Sequence, residues 1–243
     1  SIFHQVQPDV FVDTHVSNGA DYQYTLTHLF TQHNKLGGAL GEHLEKEFIP
    51  AVEDQLLKKG WPITPYVNVF NESPKQGFTQ FNDSPRYSSG YTSLWNTLGL
   101  MIETHMLKPY PKRVEGTFEM LKTLISVSYQ QKEKILTSKA QNFDLFSKAE
   151  NYPLNFRVDS SSYRRFDFLG YELENKTSEV TDQPRIKFNR NKPFEEEVSY
   201  YNKYSPTDSV VKPKAYIIPK QWTNVIELLK WNNITYERFA EDT

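Results

Sequence analysis

Two periods of hydrophobic and polar positions alternate along the first two thirds of the chain. "DVFVD" (9–13) and "YQYTLTHLF" (22–30) read as alternating segments, the pattern of half-buried or buried strands. Between them lies a polar turn, "VSNGAD", with His15 at its mouth. In "NKLGGALGEHLEKEFIPAVEDQLLKKG" (34–60), Leu36, Leu40, Leu44, Phe48, Val52 and Leu56 recur four apart. That spacing predicts one helix with a single apolar stripe, kinked or split at Pro50. "YVNVF" (66–70) and "GFTQF" (77–81) predict strands flanking the turn cluster "NESPKQ". "SGYTSLWNTLG" (89–99) predicts a short helix ended by Gly99, and "LGLMIETHML" (98–107) a nearly apolar strand. A long helix opened by proline is predicted from about Pro111 to about Lys139.

Strands alternating with helices predict an α/β fold whose buried strands form a layered sheet. After Asp144 the pattern changes. "YPLNFRVDSSSYRRFDFLGYELE" (152–174), "PRIKFNR", "EEEVSYYNKY" and "KPKAYIIP" alternate, with turn residues and no helical stripe. One helix, "QWTNVIELLKWNN", and a last strand, "ITYERF", close the chain. The division falls near 141–151, giving an α/β unit over 1–145 and a smaller β-rich unit with one helix over 146–243.

Composition narrows the chemistry. The 243 residues are enough for one large domain or two small ones without staples. A net charge of -2 gives no reason to expect nucleic acid or an anionic membrane as partner. No apolar run is long enough to predict a membrane span. There are no cysteines, so disulfides, thiolate metal sites and cysteine nucleophiles are excluded. A zinc site would have to use His, Asp or Glu, which points to the catalytic kind.

Two residues stand out by position. His15 follows a strand into a turn, and sites in open α/β sheets form beyond the strand carboxyl ends. Asp13 lies two residues back on the same strand face, placed to orient the imidazole. Glu103 puts a carboxylate inside a nearly continuous apolar strand, where an unpaired charge is costly. It is either paired or lines a cavity that uses its shifted proton affinity. His105 shares its face. In the loop "SPRYSSGY" (84–91), Arg86, Tyr87 and Tyr91 could clamp a carboxylate or polarise a carbonyl. His4, His28, His33 and His43 have no partner at ligand spacing and read as ordinary histidines, His43 with Glu47 as a solvated i,i+4 pair.

In this order, "FVDTHVSNG", a helix, the Tyr-Ser-Ser-Gly loop and "GLMIETHMLKPY" resemble the zinc carboxypeptidases of the M14 type. The resemblance covers about residues 5–140 and only the C-terminal half of such a catalytic domain. It implies a partial three-layer α/β/α sheet, with the β-rich tail as an accessory domain. It implies His15 as a zinc ligand, Glu103 as the general base, Tyr87 as the mobile tyrosine near the substrate terminus, and a peptide or amino-acid-derived substrate. Arg86 and Tyr91 would be substrate-binding, Asp13 and His105 supporting residues behind the site. A periplasmic or secreted address would follow from the family.

The family's other zinc ligands come from an upstream His-x-x-Glu motif, and no such motif occurs in these residues. Its substrate-binding arginines are also missing. "SIFHQVQPDV" does not look like a natural start, so the chain is expected to be a fragment, without zinc or peptidase activity by itself. Loss of the first half would leave an apolar sheet edge, expected to be covered by a second copy, a swapped segment or the tail. The alternatives are a non-catalytic peptide- or ligand-binding module and an amidase of the same fold.

Overall fold

The structure is a computed structural model that describes residues 2–240. The elements in order are α1 (Ile2–Val6), β1 (Val10–Ser17), β2 (Leu26–Phe30), α2 (His33–Leu36) and α3 (Gly38–His43). A π-helical turn (Leu44–Phe48) leads into α4 (Ile49–Lys58), followed by β3 (Ile63–Pro65). A 3-10 turn (Pro74–Gln76), β4 (Phe78–Thr79), α5 (Ser88–Ser93), β5 (Leu98–His105), α6 (Tyr110–Gln130) and α7 (Lys132–Lys148) come next. The β-rich part holds β6 (Asn151–Val158), β7 (Arg164–Thr177), β8 (Pro184–Tyr201) and β9 (Tyr204–Val211), and α8 (Thr223–Trp231) follows. The protein is therefore mixed α/β, with one four-stranded mixed sheet and a separate β-rich region.

The four-stranded sheet has the order β1-β5-β2-β3, with β1 parallel to β5, β2 antiparallel to β5, and β3 parallel to β2. Side chains of a strand alternate between faces, so parity divides this sheet into two surfaces. Leu98, Leu100 and Ile102 of β5 join Leu26 and Phe30 of β2 on one surface, packed with residues of α4, α6 and the leucine stripe in the main core. Gly99, Met101, Glu103 and His105 belong to the other surface, beside Asp13, His15 and Ser17 of β1 and Thr27 of β2. Gly99 does not end a helix as expected. It sits in β5, where a Cβ would come within 2.6 Å of Thr31 Oγ1 and 2.9 Å of Ser89 Cα, so α5 crosses the sheet at this point.

All six stripe residues are buried, but the single helix is four short pieces. A four-residue step in a straight α-helix turns about 400°, so the row would drift about 200° around the axis over five steps. The chain break at Gly37–Gly38 and the wider π-helical turn take up that drift and keep the stripe on the core. Asn142 of α7 repairs the break: its Oδ1 accepts from Leu40 N at 3.2 Å, and its Nδ2 donates to Gly37 O at 3.0 Å. Pro50 stands in the first turn of α4, directly after the π-helical turn, and does not end the helical run.

Other boundaries also differ from expectation. The long helix becomes two, α6 and α7, meeting at Gln131 without a glycine or proline to signal the break. Residues 66–70 form no strand: Asn68 N bonds Tyr66 O and Val69 N bonds Val67 O in tight three-residue turns. The 77–81 strand shrinks to β4, which pairs with the end of β8. The last strand is absent, since Ile234–Phe239 carries no regular structure.

The β-rich region consists of the long β7–β8 hairpin, joined by β4, and the β6–β9 pair. It shares a core with the first part of the chain: Tyr22, Tyr24, Val67, Val69 and Phe78 pack with Phe168, Phe194, Val198 and Tyr200. Tyr22 also bridges to Gly170. No helix among the described residues is long and apolar enough to cross a membrane.

Candidate active site

Parallel pairing of β1 with β5 sets His15 directly opposite Glu103, and Asp13 opposite Met101. On the other flank of β5, Thr27 faces Glu103 and its hydroxyl donates to the Glu103 carbonyl at 3.4 Å. His15 Nε2 lies 2.9 Å from Asp13 Oδ2. The Ser88 hydroxyl, at the start of α5, donates to the same oxygen at 2.7 Å. Burial pushes the Asp13 carboxyl up, but the hydrogen bonds from His15 and Ser88 outweigh it and hold the group below its ordinary value.

Glu103 shows the opposite balance. All eight residues of β5 are buried, and Glu103 is 9% exposed. Desolvation pushes its carboxyl up to about 7, with His15 opposing the shift and the Asp13 charge adding to it. The Tyr66 and Tyr22 hydroxyls lie within reach of its charge, and burial foremost, then Glu103, raises Tyr66. Tyr22 OH shares a 3.1 Å hydrogen bond with Ser17 Oγ. The result is a carboxyl that titrates near neutrality beside an imidazole held by a carboxylate. Such a group can accept a proton from a polarised water or hydroxyl and return it.

The other expected residues divide. Tyr87 is exposed and stacks edge-on with Phe81 at 4.9 Å, and Phe81 meets Tyr66 at 6.4 Å, so an aromatic row leads from Tyr87 toward Glu103. Arg86 is exposed in the same loop. Tyr91 is drawn elsewhere: its hydroxyl donates to Asn232 Oδ1 at 2.6 Å and meets His4 Nε2 at 2.6 Å, joining both ends of the described chain. His105 shares the face of Glu103, but loop backbone occupies its ring. Nε2 donates to Ala20 O at 3.0 Å, and Nδ1 accepts from Leu107 N at 3.1 Å. Burial lowers its proton affinity, consistent with a neutral ring that fixes the two loops bounding the site.

No family model, curated protein or solved structure matches this chain. The site therefore rests on its own geometry. Zinc does not fit the chain's own donors: among the described residues no three His, Asp or Glu side chains are placed to hold a metal ion. His15 is the one imidazole free of backbone on this face, and Asp13 already occupies its Nε2.

Sequence reasoning passed over the clamp beside the site. Asp21, 3% exposed, accepts from Lys108 Nζ at 3.1 Å and Arg190 Nε at 2.7 Å. Lys108 also donates to the Tyr22 carbonyl, and Arg190 to the Leu107 carbonyl at 3.0 Å. The turn after β1, the turn after β5 and β8 are thus tied at one carboxylate. Asp21 and Lys108 stood in the motifs already singled out, but Arg190 is remote in sequence and carried no local signal.

Proposed function

We propose that this chain is the general-base half of a carboxypeptidase-like hydrolase acting on a peptide or an amino-acid-derived amide. One observation supports it above the others: Glu103, titrating near 7 on a buried sheet face, stands in register with the Asp13-held His15. In this reading Glu103 takes a proton from the attacking water and delivers it to the leaving amine. His15, oriented by Asp13, stabilises the charge that develops beside it, and Tyr87 with Arg86 lies at the substrate end of the aromatic row. The family resemblance adds a partial three-layer sheet, and zinc in the intact protein with His15 as one ligand. Because the donors present do not complete a metal site, the chemistry assigned to these residues is proton transfer alone.

The test is peptide hydrolysis by the natural protein that contains these residues, with a Glu103→Gln variant. Loss of activity by about 100-fold or more with the fold retained is expected. Activity at the wild-type level in that variant would overturn the reading. For the 243-residue chain alone, zinc titration by calorimetry is expected to show no stoichiometric site.

A further inference from the structure

A cleft of about 520 Å³ lies between the π-helical turn and the β7–β8 hairpin. Its lining includes His28 and Phe30, which share a strand with Thr27 but point to the opposite sheet face, so it does not open onto Glu103. Arg164 and Lys203 bring two cations to it against the Glu45 carboxylate, while Lys46 is already paired with Glu42 at 2.6 Å. The Arg164 guanidinium stacks over the Tyr200 ring at 5.3 Å. Its nearest acid, Glu53 Oε1, is 3.6 Å away and already sits 2.9 Å from His28 Nε2. Arg164 thus keeps one long contact to Glu53, whose shorter partner is His28.

His33 supplies the second observation. It lines the same cleft, is 5% exposed, and its Nε2 has no hydrogen-bond partner. Glu45 Oε1 stands 3.2 Å away but out of line for a bond. A buried polar atom without a partner is costly, and a ligand oxygen would remove the cost. The π-helical turn that carries Glu45 and Lys46 keeps the stripe on the core, and such turns also occur frequently at functional sites.

We propose that this cleft binds a small ligand bearing an oxyanion, a carboxylate or a phosphate. Arg164 and Lys203 hold its charge, the His33 Nε2 hydrogen donates to one oxygen, and Ile49 and Tyr163 flank its body. Arg164 suits both oxyanions because its planar fork matches either one bidentately. The proposal is independent of the role given to Glu103.

The test is an NMR titration of the histidine ring signals of the full chain with inorganic phosphate and, separately, with glutarate. Sodium chloride at matched ionic strength is the control. A saturable shift of the His33 signals is expected with a Kd of about 1–10 mM or tighter. Saturation by one probe alone identifies which oxyanion the cleft takes. Arg164→Gln and Lys203→Gln should each weaken binding about tenfold. Lys148→Gln, which removes a distant surface charge, should leave it unchanged. If Arg164→Gln unfolds because its ring stacking is lost, the exposed Lys203 still decides. No saturable shift with either probe, or equal weakening in Lys148→Gln, overturns the proposal.

Discussion

At the scale of single residues, the distinctive feature is a carboxyl pushed up to about 7 by burial in β5. The sign of its effect on stability follows. Between its ordinary value of 4.5 and about 7, the folded state keeps a proton that the unfolded chain has lost. Its contribution is thus complete at low pH, falls as pH rises through that window, and is gone above it. The difference is on the order of 3 kcal/mol. Glu103→Gln should flatten this part of the profile and raise stability above neutral pH, measured by urea unfolding across pH 4–8. A profile that keeps its slope would show that Glu103 is not the buried titrating group. His15 opposes the shift, so His15→Gln should move the Glu103 midpoint above about 7. Carboxyl-carbon NMR titration reads this directly, and an unchanged or lower midpoint contradicts the pairing.

At the scale of elements, α5 depends on the absence of a side chain at Gly99. A Cβ there would meet Thr31 Oγ1 at 2.6 Å and Thr92 Oγ1 at 2.7 Å, between a central strand and the helix that crosses it. Gly99→Ala should cost about 1–3 kcal/mol in urea unfolding, because neither the strand nor α5 can move without losing other contacts. The same variant should disturb the Ser88 contact to Asp13, since Ser88 opens α5. The leucine stripe makes a complementary point. Its spacing correctly marks the buried positions, but it could not show that a glycine break and a π-helical turn keep them aligned. Those depend on what Asn142, far along the chain, offers to the broken helix.

At the scale of the whole molecule, Asp21 is the joint between the sheet and the β-rich hairpin. Its two cationic partners come from the turn after β5 and from β8. Burial pulls the Lys108 ammonium down, and Asp21 works against that shift. Asp21→Asn leaves Lys108 buried without its counter-charge, and should cost about 3–5 kcal/mol. Faster limited proteolysis in the β7–β8 hairpin should accompany the loss, and wild-type resistance there would contradict the role of the joint. The sheet also ends on β1, an edge strand with Val16 55% exposed. Concentration-dependent association is expected in sedimentation velocity and should be suppressed by Val16→Lys. Association unaffected by that change would place the contact elsewhere.

What the sequence alone determined is what periodicity can carry. A period of two in β1 and β5 set Asp13 with His15 and Glu103 with His105 on common faces. A four-residue period marked the stripe that fills the main core. These patterns are local, because a residue's neighbours fix which way its side chain points. Register is not local. Whether His15 would face Glu103, or slip by a residue to the other surface, was decided by how the two strands pair across the intervening chain. The raised carboxyl of Glu103, the backbone bonds that occupy His105, the Asp21 clamp and the Arg164–His33 cleft also depend on residues remote in sequence. Their cause is desolvation and proximity summed over the assembled fold, which only the tertiary structure supplies.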